Sequence, residues 1–331
     1  MLPRLAEILS TTRVVALPLN ARFRGLWERE ALLFEGPQGW TEFSPFADYY
    51  DTEASIWLAA AIDFGYHETP PLHRTHVSVN ATVPAVDVSE VSLVLSAFNG
   101  CRTAKVKVAE AGQTLSEDVA RVRAVRSTLG AEGRIRIDAN GGWNVDEAER
   151  AIHALADCDL EYVEQPCATV EELAELRQRI KYMDIPIAAD ESVRRAEDPL
   201  AVARAGAANL LVIKAQPLGG IHRALDLVNE AGLPVVVSSA LDTSVGLSMG
   251  LYLAGALDTL NYDCGLGTGA LLSNDVSEDP LVPVNGMIEI RRTVVSEVLL
   301  NKHAAETDRA NWWRNRLTRA YKVLAAAEQA E

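Results

Sequence analysis

"TAKVKVAEAGQTLSEDVARVRAVRSTLGAEGRIRIDAN" (residues 103–140) holds one complete strand–helix–strand unit. "AKVKV" (104–108) and "RIRIDAN" (134–140) are short β-rich runs, and "LSEDVARVRAVRSTLG" between them carries apolar residues at helical spacing. A helix of that length joining two strands makes them parallel, through a right-handed crossover. The same unit recurs on either side. Further strands are expected at 77–83, 160–165, 185–190, 209–214, 233–239 and 259–265, several of them continuously apolar, as strands covered on both faces should be. Eight strands in one repeating phase predict an α/β chain closed into a barrel. A doubly wound open sheet is the competing fold, but it needs a GxGxxG turn after the first strand, and none is there. "GLGTG" (265–269) has its glycines at another spacing and follows the last strand, so it reads as a tight turn.

The flanks lack this period. Residues 1–76 read as a small α+β element ahead of the barrel, with a hairpin over 24–46 turned at Gly36–Gly39 and an amphipathic helix over 51–65. The barrel is expected over 77–285. Residues 286–331 add a strand (286–290) and a terminal helix from about Ala304, whose adjacent Trp312 and Trp313 are expected to pack it onto the body. At 331 residues and 48% hydrophobic content, the chain has enough apolar mass for this core. The formal charge of −15 repels nucleic acid and anionic membranes, so no such partner is expected, and an anionic small-molecule substrate would need local positive charge. Four well-separated cysteines without a CxxC pair, and an N-terminus lacking a signal peptide's long apolar run, point to a reducing cytoplasm. The sequence leaves the oligomeric state open, a monomer included.

In a parallel barrel the chemistry sits at the C-terminal strand ends. Strand two ends in Lys105 and Lys107, strand three in Asp138, strand four in Glu164, strand five in Asp190 and strand six in Lys214. Each acid taken singly could be a turn opener, a strand terminus or a helix cap. Together they fall at one stage of successive repeats on strands ~4.8 Å apart, so three carboxylates converge between flanking lysines. Oxygen donors of that number suit a hard divalent cation, Mg²⁺ or its substitute Mn²⁺, and no histidine or cysteine competes to favour zinc. Lysines beside such a cation form a device for taking a proton from carbon next to a carboxylate, the resulting enediolate being stabilised by the metal. The base must be neutral although lysine starts near ~10.4, and Lys105 is read as the like charge that lowers Lys107.

"KVK", "DAN", "EQP", "DES" and "IKA", in this order, resemble the enolase superfamily in its muconate-lactonizing-type subgroup. The resemblance covers about 77–290. It implies a modified TIM-type (β/α)7β barrel, a capping domain here reduced, and a C-terminal segment returning to the cap. It also implies Lys107 as base, Lys214 facing it across the substrate, and Mg²⁺ on Asp138, Glu164 and Asp190. "RIRIDANGGW", "SSALDTSVGL" (238–247) and "GLGTGALLSNDV" (265–276) resemble the dehydrating branch. That branch eliminates water from 2-succinyl-6-hydroxy-2,4-cyclohexadiene-1-carboxylate in menaquinone biosynthesis. Arg136 and Asn140 share the strand parity of Asp138 and face the same interior. By resemblance, Ser238 and Gly265 line the pocket for the succinyl carboxylate, their other reading being ordinary turn residues. "GWTEFSPF" (39–46) resembles the loop that closes over such pockets, with packing of Trp40 and Phe46 as the alternative. Rival activities on the scaffold are racemisation of N-acylamino acids, epimerisation of dipeptides and muconate cycloisomerisation. Against the epimerase stands the absence of an Asp-x-Asp pair after strand eight. A non-catalytic binding barrel is the alternative of another class, disfavoured because all five metal and lysine positions are filled.

Overall fold

The computed structural model describes residues 2–195 and 198–330. Three successive crossover helices begin with one local device. Thr114, Asn144 and Thr169 cap helices Leu115–Leu129, Val145–Ala154 and Val170–Arg179, and Glu117, Glu147 and Glu172 reach back to the capping residues' N–H groups. These reciprocal caps start each helix at a set distance from the strand before it.

The strands are β1 Arg13–Phe23, β2 Leu26–Gly36, β3 Gly39–Phe43, β4 His76–Ser78, β5 Ala81–Val83, β6 Thr103–Lys107, β7 Arg134–Asp138, β8 Leu160–Glu164, β9 Ile187–Ala189, β10 Leu210–Ile213, β11 Val235–Val237 and β12 Met287–Glu289. β5 to β11 form one parallel sheet in chain order. The chain is therefore α/β, with the curled parallel sheet expected of the resemblance.

The first and eighth expected strands differ in detail. Residues 77–83 split: β4 pairs antiparallel with β12, and only β5 joins the sheet. Residues 259–265 form no strand. Cys264 and Gly265 alone make bridges, to Val79 on one side and Ser238 on the other, through Asn80 N to Cys264 O (2.9 Å) and Gly265 N to Val237 O (2.8 Å). These two residues link β5's lead-in to β11's end and so close the ring. The ladder stops there because the Asp263 carbonyl accepts from Arg136 (2.6 Å), while its carboxylate takes Thr103 (2.6 Å) and Arg134 (2.8 Å). "GLGTG" becomes a 3₁₀ turn, Gly267–Leu271.

In the cap, β1, β2 and β3 make an antiparallel meander. The expected hairpin turn lies between Gly36 and Gly39, and a side chain at Gly36 would meet the Gly65 carbonyl at 2.2 Å. Residues 13–23, to which the sequence assigns no element, form β1. Pro18 breaks the look of a strand there and sits where the β1–β2 register shifts. Helix Asp51–Tyr66 lies against helix Thr307–Ala330, which starts three residues later than expected. Trp313 is buried, edge-on to Phe43, and its indole N–H donates to Glu30 (3.0 Å), so the tryptophans do pack the last helix onto the cap. All four cysteines are free, and among the described residues no helix is long and apolar enough to cross a membrane.

Candidate active site

The register carries the strand ends to one place. Lys107 pairs laterally with Asp138, and Asp138 with Glu164; Glu164 pairs with Ala188, so Asp190 stands on the same face one step higher. The lysines meet the acids there. Lys105 Nζ lies 2.8 and 2.9 Å from the two oxygens of Glu164 and 3.3 Å from Asp138 Oδ2. Lys107 Nζ also bonds to Asp138 Oδ2, and to Asn140 Oδ1 at 2.7 Å. Lys214 Nζ lies 2.6 Å from Asp190 Oδ2 on the far side of the acids.

Burial makes these charges strongly interdependent. Burial alone would raise Asp138, but Lys107 and Lys105 outweigh it and hold its carboxyl well below the usual range. Asp190 is also raised by burial yet held low overall, by Arg194 and Lys214. Glu164 goes the other way: burial, then the Asp138 carboxylate, push it up to about 7 against the pull of Lys105. Lys105 is raised, the carboxylates of Glu164 and Asp138 outweighing its burial, and Lys214 is lowered chiefly by burial. The ammonium of Lys105 therefore answers the two acids directly, a contact not contained in its reading as a tuner of Lys107.

Lys105 Nζ touches both Glu164 and Asp138, and Asp190 stands one step above Glu164 on the neighbouring strand, so the three carboxylates come from adjacent strand ends, and as oxygen-only donors they suit a hard divalent cation. Among the described residues no group of three or more such side chains is already arranged to hold a metal ion, and Lys105, Lys107, Lys214 and Arg194 contact the oxygens of these acids. A cation entering there would exchange with those contacts.

Above the cluster opens a narrow cavity. Lys105, Lys107, Asp138, Asn140, Asp190 and Lys214 form one wall, Ser238–Leu241 and Gly265 another, and the cap contributes Phe23, Arg24, Phe46 and Trp57. Phe46 reaches the cavity, whereas Trp40 packs against the main core. Gly265 has no room for a side chain: a Cβ would fall 2.4 Å from Ser238 Oγ.

Arg136 is corrected. Its parity does turn it inward, but two residues along a strand is ~6.6 Å, which puts it one layer below the cavity. There it is fully buried, bonded to Glu161 (2.5 Å), Asn80 (3.0 Å) and the Asp263 carbonyl (2.6 Å) and flanked by Tyr162 and Tyr262. It plugs the barrel and does not line the cavity. Conversely, Arg194 lines it unforeseen, bonded to Asp190 Oδ1 (3.0 Å) and the Tyr49 hydroxyl (2.7 Å). Its spacing of four from Asp190 on the short helix Glu191–Arg194 was the available signal.

Residues 89–294 match the family model "Enolase C-terminal domain-like" and residues 14–65 match "Enolase N-terminal domain-like". The o-succinylbenzoate synthase of Mycobacterium marinum is 52% identical over 321 residues, covering 97% of this chain and 96% of that protein. The protein of the same name from Mycobacterium tuberculosis is 52% identical over 325 residues, covering 98% of each. Among solved structures, muconate lactonizing enzyme from Pseudomonas fluorescens superposes with a TM-score of 0.75 at 19% identity, over 89% of this chain and 98% of that one. N-succinyl Arg/Lys racemase from Bacillus cereus gives 0.74 at 18%, over 89% and 97%.

Proposed function

The chain is an enzyme of the enolase superfamily, and on that premise we propose that it catalyses the reaction of o-succinylbenzoate synthases, the syn elimination of water from 2-succinyl-6-hydroxy-2,4-cyclohexadiene-1-carboxylate to 2-succinylbenzoate, a cytoplasmic step towards menaquinone. The observation that carries this reading is 52% identity over nearly the whole chain to proteins of that name, against 18% to the racemase of the same fold. On this reading residues 1–76 are the cap, 77–285 the catalytic barrel and 286–331 the segment that returns to the cap.

Asp138, Glu164 and Asp190 would hold Mg²⁺ or Mn²⁺ beside the substrate carboxylate. Bound there, the cation supplies Lewis acidity to the carboxylate oxygens. Lys107, placed at the cavity wall by Asp138 and Asn140, takes the proton from the carbon bearing that carboxylate. The C–H electrons form the new ring double bond as the C–O bond breaks, and the Lys107 ammonium returns its proton to the leaving hydroxide as water. One lysine on one face suffices, which is what makes the elimination syn. Lys214, on the other side of the acids and paired with Asp190, acts electrostatically on the developing negative charge. Ser238 and Gly265 line the side of the cavity assigned to the succinyl carboxylate.

The test is an ultraviolet assay for aromatic product with Mg²⁺, run beside racemisation of N-succinylamino acids on the same preparation. Aromatic product is expected. Racemisation without dehydration would replace this reading with the racemase.

A further inference from the structure

A second group of buried ionisable side chains lies between the cap and the segment that follows β11. Glu42 on β3 and Asp242 are each 1% exposed, and Arg29 on β2 is 3% exposed. Glu42 Oε2 accepts from Thr243 N (3.1 Å), Thr243 Oγ1 (2.6 Å) and Gly246 N (3.1 Å), at the start of helix Ser244–Ala256. Its other oxygen accepts from Ser44 Oγ (2.5 Å). Arg29 Nε donates to the Leu241 carbonyl (3.0 Å), and another of its nitrogens donates to Ser44 O (2.5 Å) and Oγ (3.0 Å). Asp242 Oδ2 accepts from Ala240 N (3.2 Å) and Gln216 Nε2 (2.9 Å).

The Arg29 and Asp242 bonds reach Leu241 and Ala240 in Ser238–Leu241, a wall of the cavity, and the Glu42 bonds fall just beyond it, at Thr243 and Gly246. Leu241 has φ of +63°, the left-handed region that a leucine enters only when its surroundings hold it there. The Arg29 bond to its carbonyl and the Glu42 bonds just beyond hold the chain at and after that strained residue, while Asp242 holds Ala240 before it. Neither cap residue lines the cavity.

We propose that Glu42 and Arg29 are positioning residues: from the cap, they hold Ser238–Leu241 in the strained shape that closes the succinyl side of the cavity, so that these two side chains set substrate affinity without touching substrate. This rests on the reading above for the identity of the substrate arm. Burial and then Asp242 push the Glu42 carboxyl up to about 7, against the pull of Arg29.

The test is steady-state dehydration kinetics, with calorimetric affinity for 2-succinylbenzoate, on the full chain and its variants. Glu42→Ala is expected to raise KM and product Kd roughly tenfold, the scale of a lost buried cap, with kcat within about twofold. Glu42→Gln recovers most of that loss, because its amide can face Thr243 and Gly246 with oxygen and Ser44 with NH₂. Thr243→Val, which removes one hydroxyl from the set, raises KM by less. Asp63→Asn is the control: Asp63 also joins cap to barrel, accepting from Ile221 N (3.0 Å) and lying 3.0 Å from His222 Nδ1, but it lies away from the cavity wall. It should lower Tm and leave KM in place. Unchanged KM and Kd in Glu42→Ala, or an equal KM rise in Asp63→Asn, overturns the proposal. Should Glu42→Ala fail to fold, an unchanged KM in Thr243→Val overturns it. A wild-type chain that forms no aromatic product defeats the functional reading instead, so the two failures are told apart.

Discussion

Replacing Glu42 by glutamine should change how stability depends on pH, by an amount set by its burial. The carboxyl sits at about 7 in the folded chain against 4.5 ordinarily, raised by burial and by Asp242, with Arg29 and the Ser44 and Thr243 hydroxyls pulling the other way. Asp242 is itself raised by burial, against Arg29, its own hydrogen bonds and Lys214. A raised acid favours the folded state while protonated. That contribution is complete below the unfolded value near 4.5 and is lost as pH rises through about 7. Between pH 4.5 and 8 the wild type should therefore lose about 3 kcal/mol relative to Glu42→Gln, whose amide does not titrate. Urea unfolding of both proteins at pH 4.5, 6, 7 and 8, with chelator present, measures the difference directly. A difference that stays flat with pH, or that grows in favour of the wild type on the alkaline side, refutes the buried-proton account.

Lys107→Ala should lower the dehydration rate by at least ~10³-fold and Lys214→Ala by less, since the first removes the proton carrier and the second only charge; the ultraviolet assay ranks them, and a Lys107→Ala rate equal to wild type ends the mechanism. Arg136→Met should destabilise the fold by about 3 kcal/mol by removing the near partner of Glu161 and leaving it only Arg134 at 3.8 Å, while KM stays put because Arg136 lies below the cavity; urea unfolding and kinetics together check it. Gly265→Ala should raise KM several-fold, because the new Cβ must displace Ser238 Oγ from 2.4 Å.

The barrel was legible because a strand every repeat, continuously apolar, leaves little else for β5 to β11 to do. The five charged strand ends were legible for the same reason: repeat phase places them, and the register of Lys107 with Asp138 and Glu164 follows from it. Depth along a strand is another matter. Parity gives the face but not the layer, which is why Arg136 looked like a pocket residue and is a plug. Phe46 falls in the loop expected over the pocket, but the rest of the cap's contribution was hidden because Arg24 and Trp57 come from segments with no shared phase, and Pro18 disguised β1. Glu42 and Arg29 show the same limit: each is a charged residue on an ordinary-looking strand, and only the packing of cap on barrel puts them beneath Leu241.

The central claim is that Asp138, Glu164 and Asp190 form a single site for a divalent cation at the mouth of the barrel. Calorimetric titration of metal-stripped chain with Mg²⁺, wild type beside Glu164→Gln, puts it to the question most directly. One Mg²⁺ per wild-type chain with binding abolished or greatly weakened in the variant is the predicted result. No binding to the wild type, or equal binding to both, would contradict it.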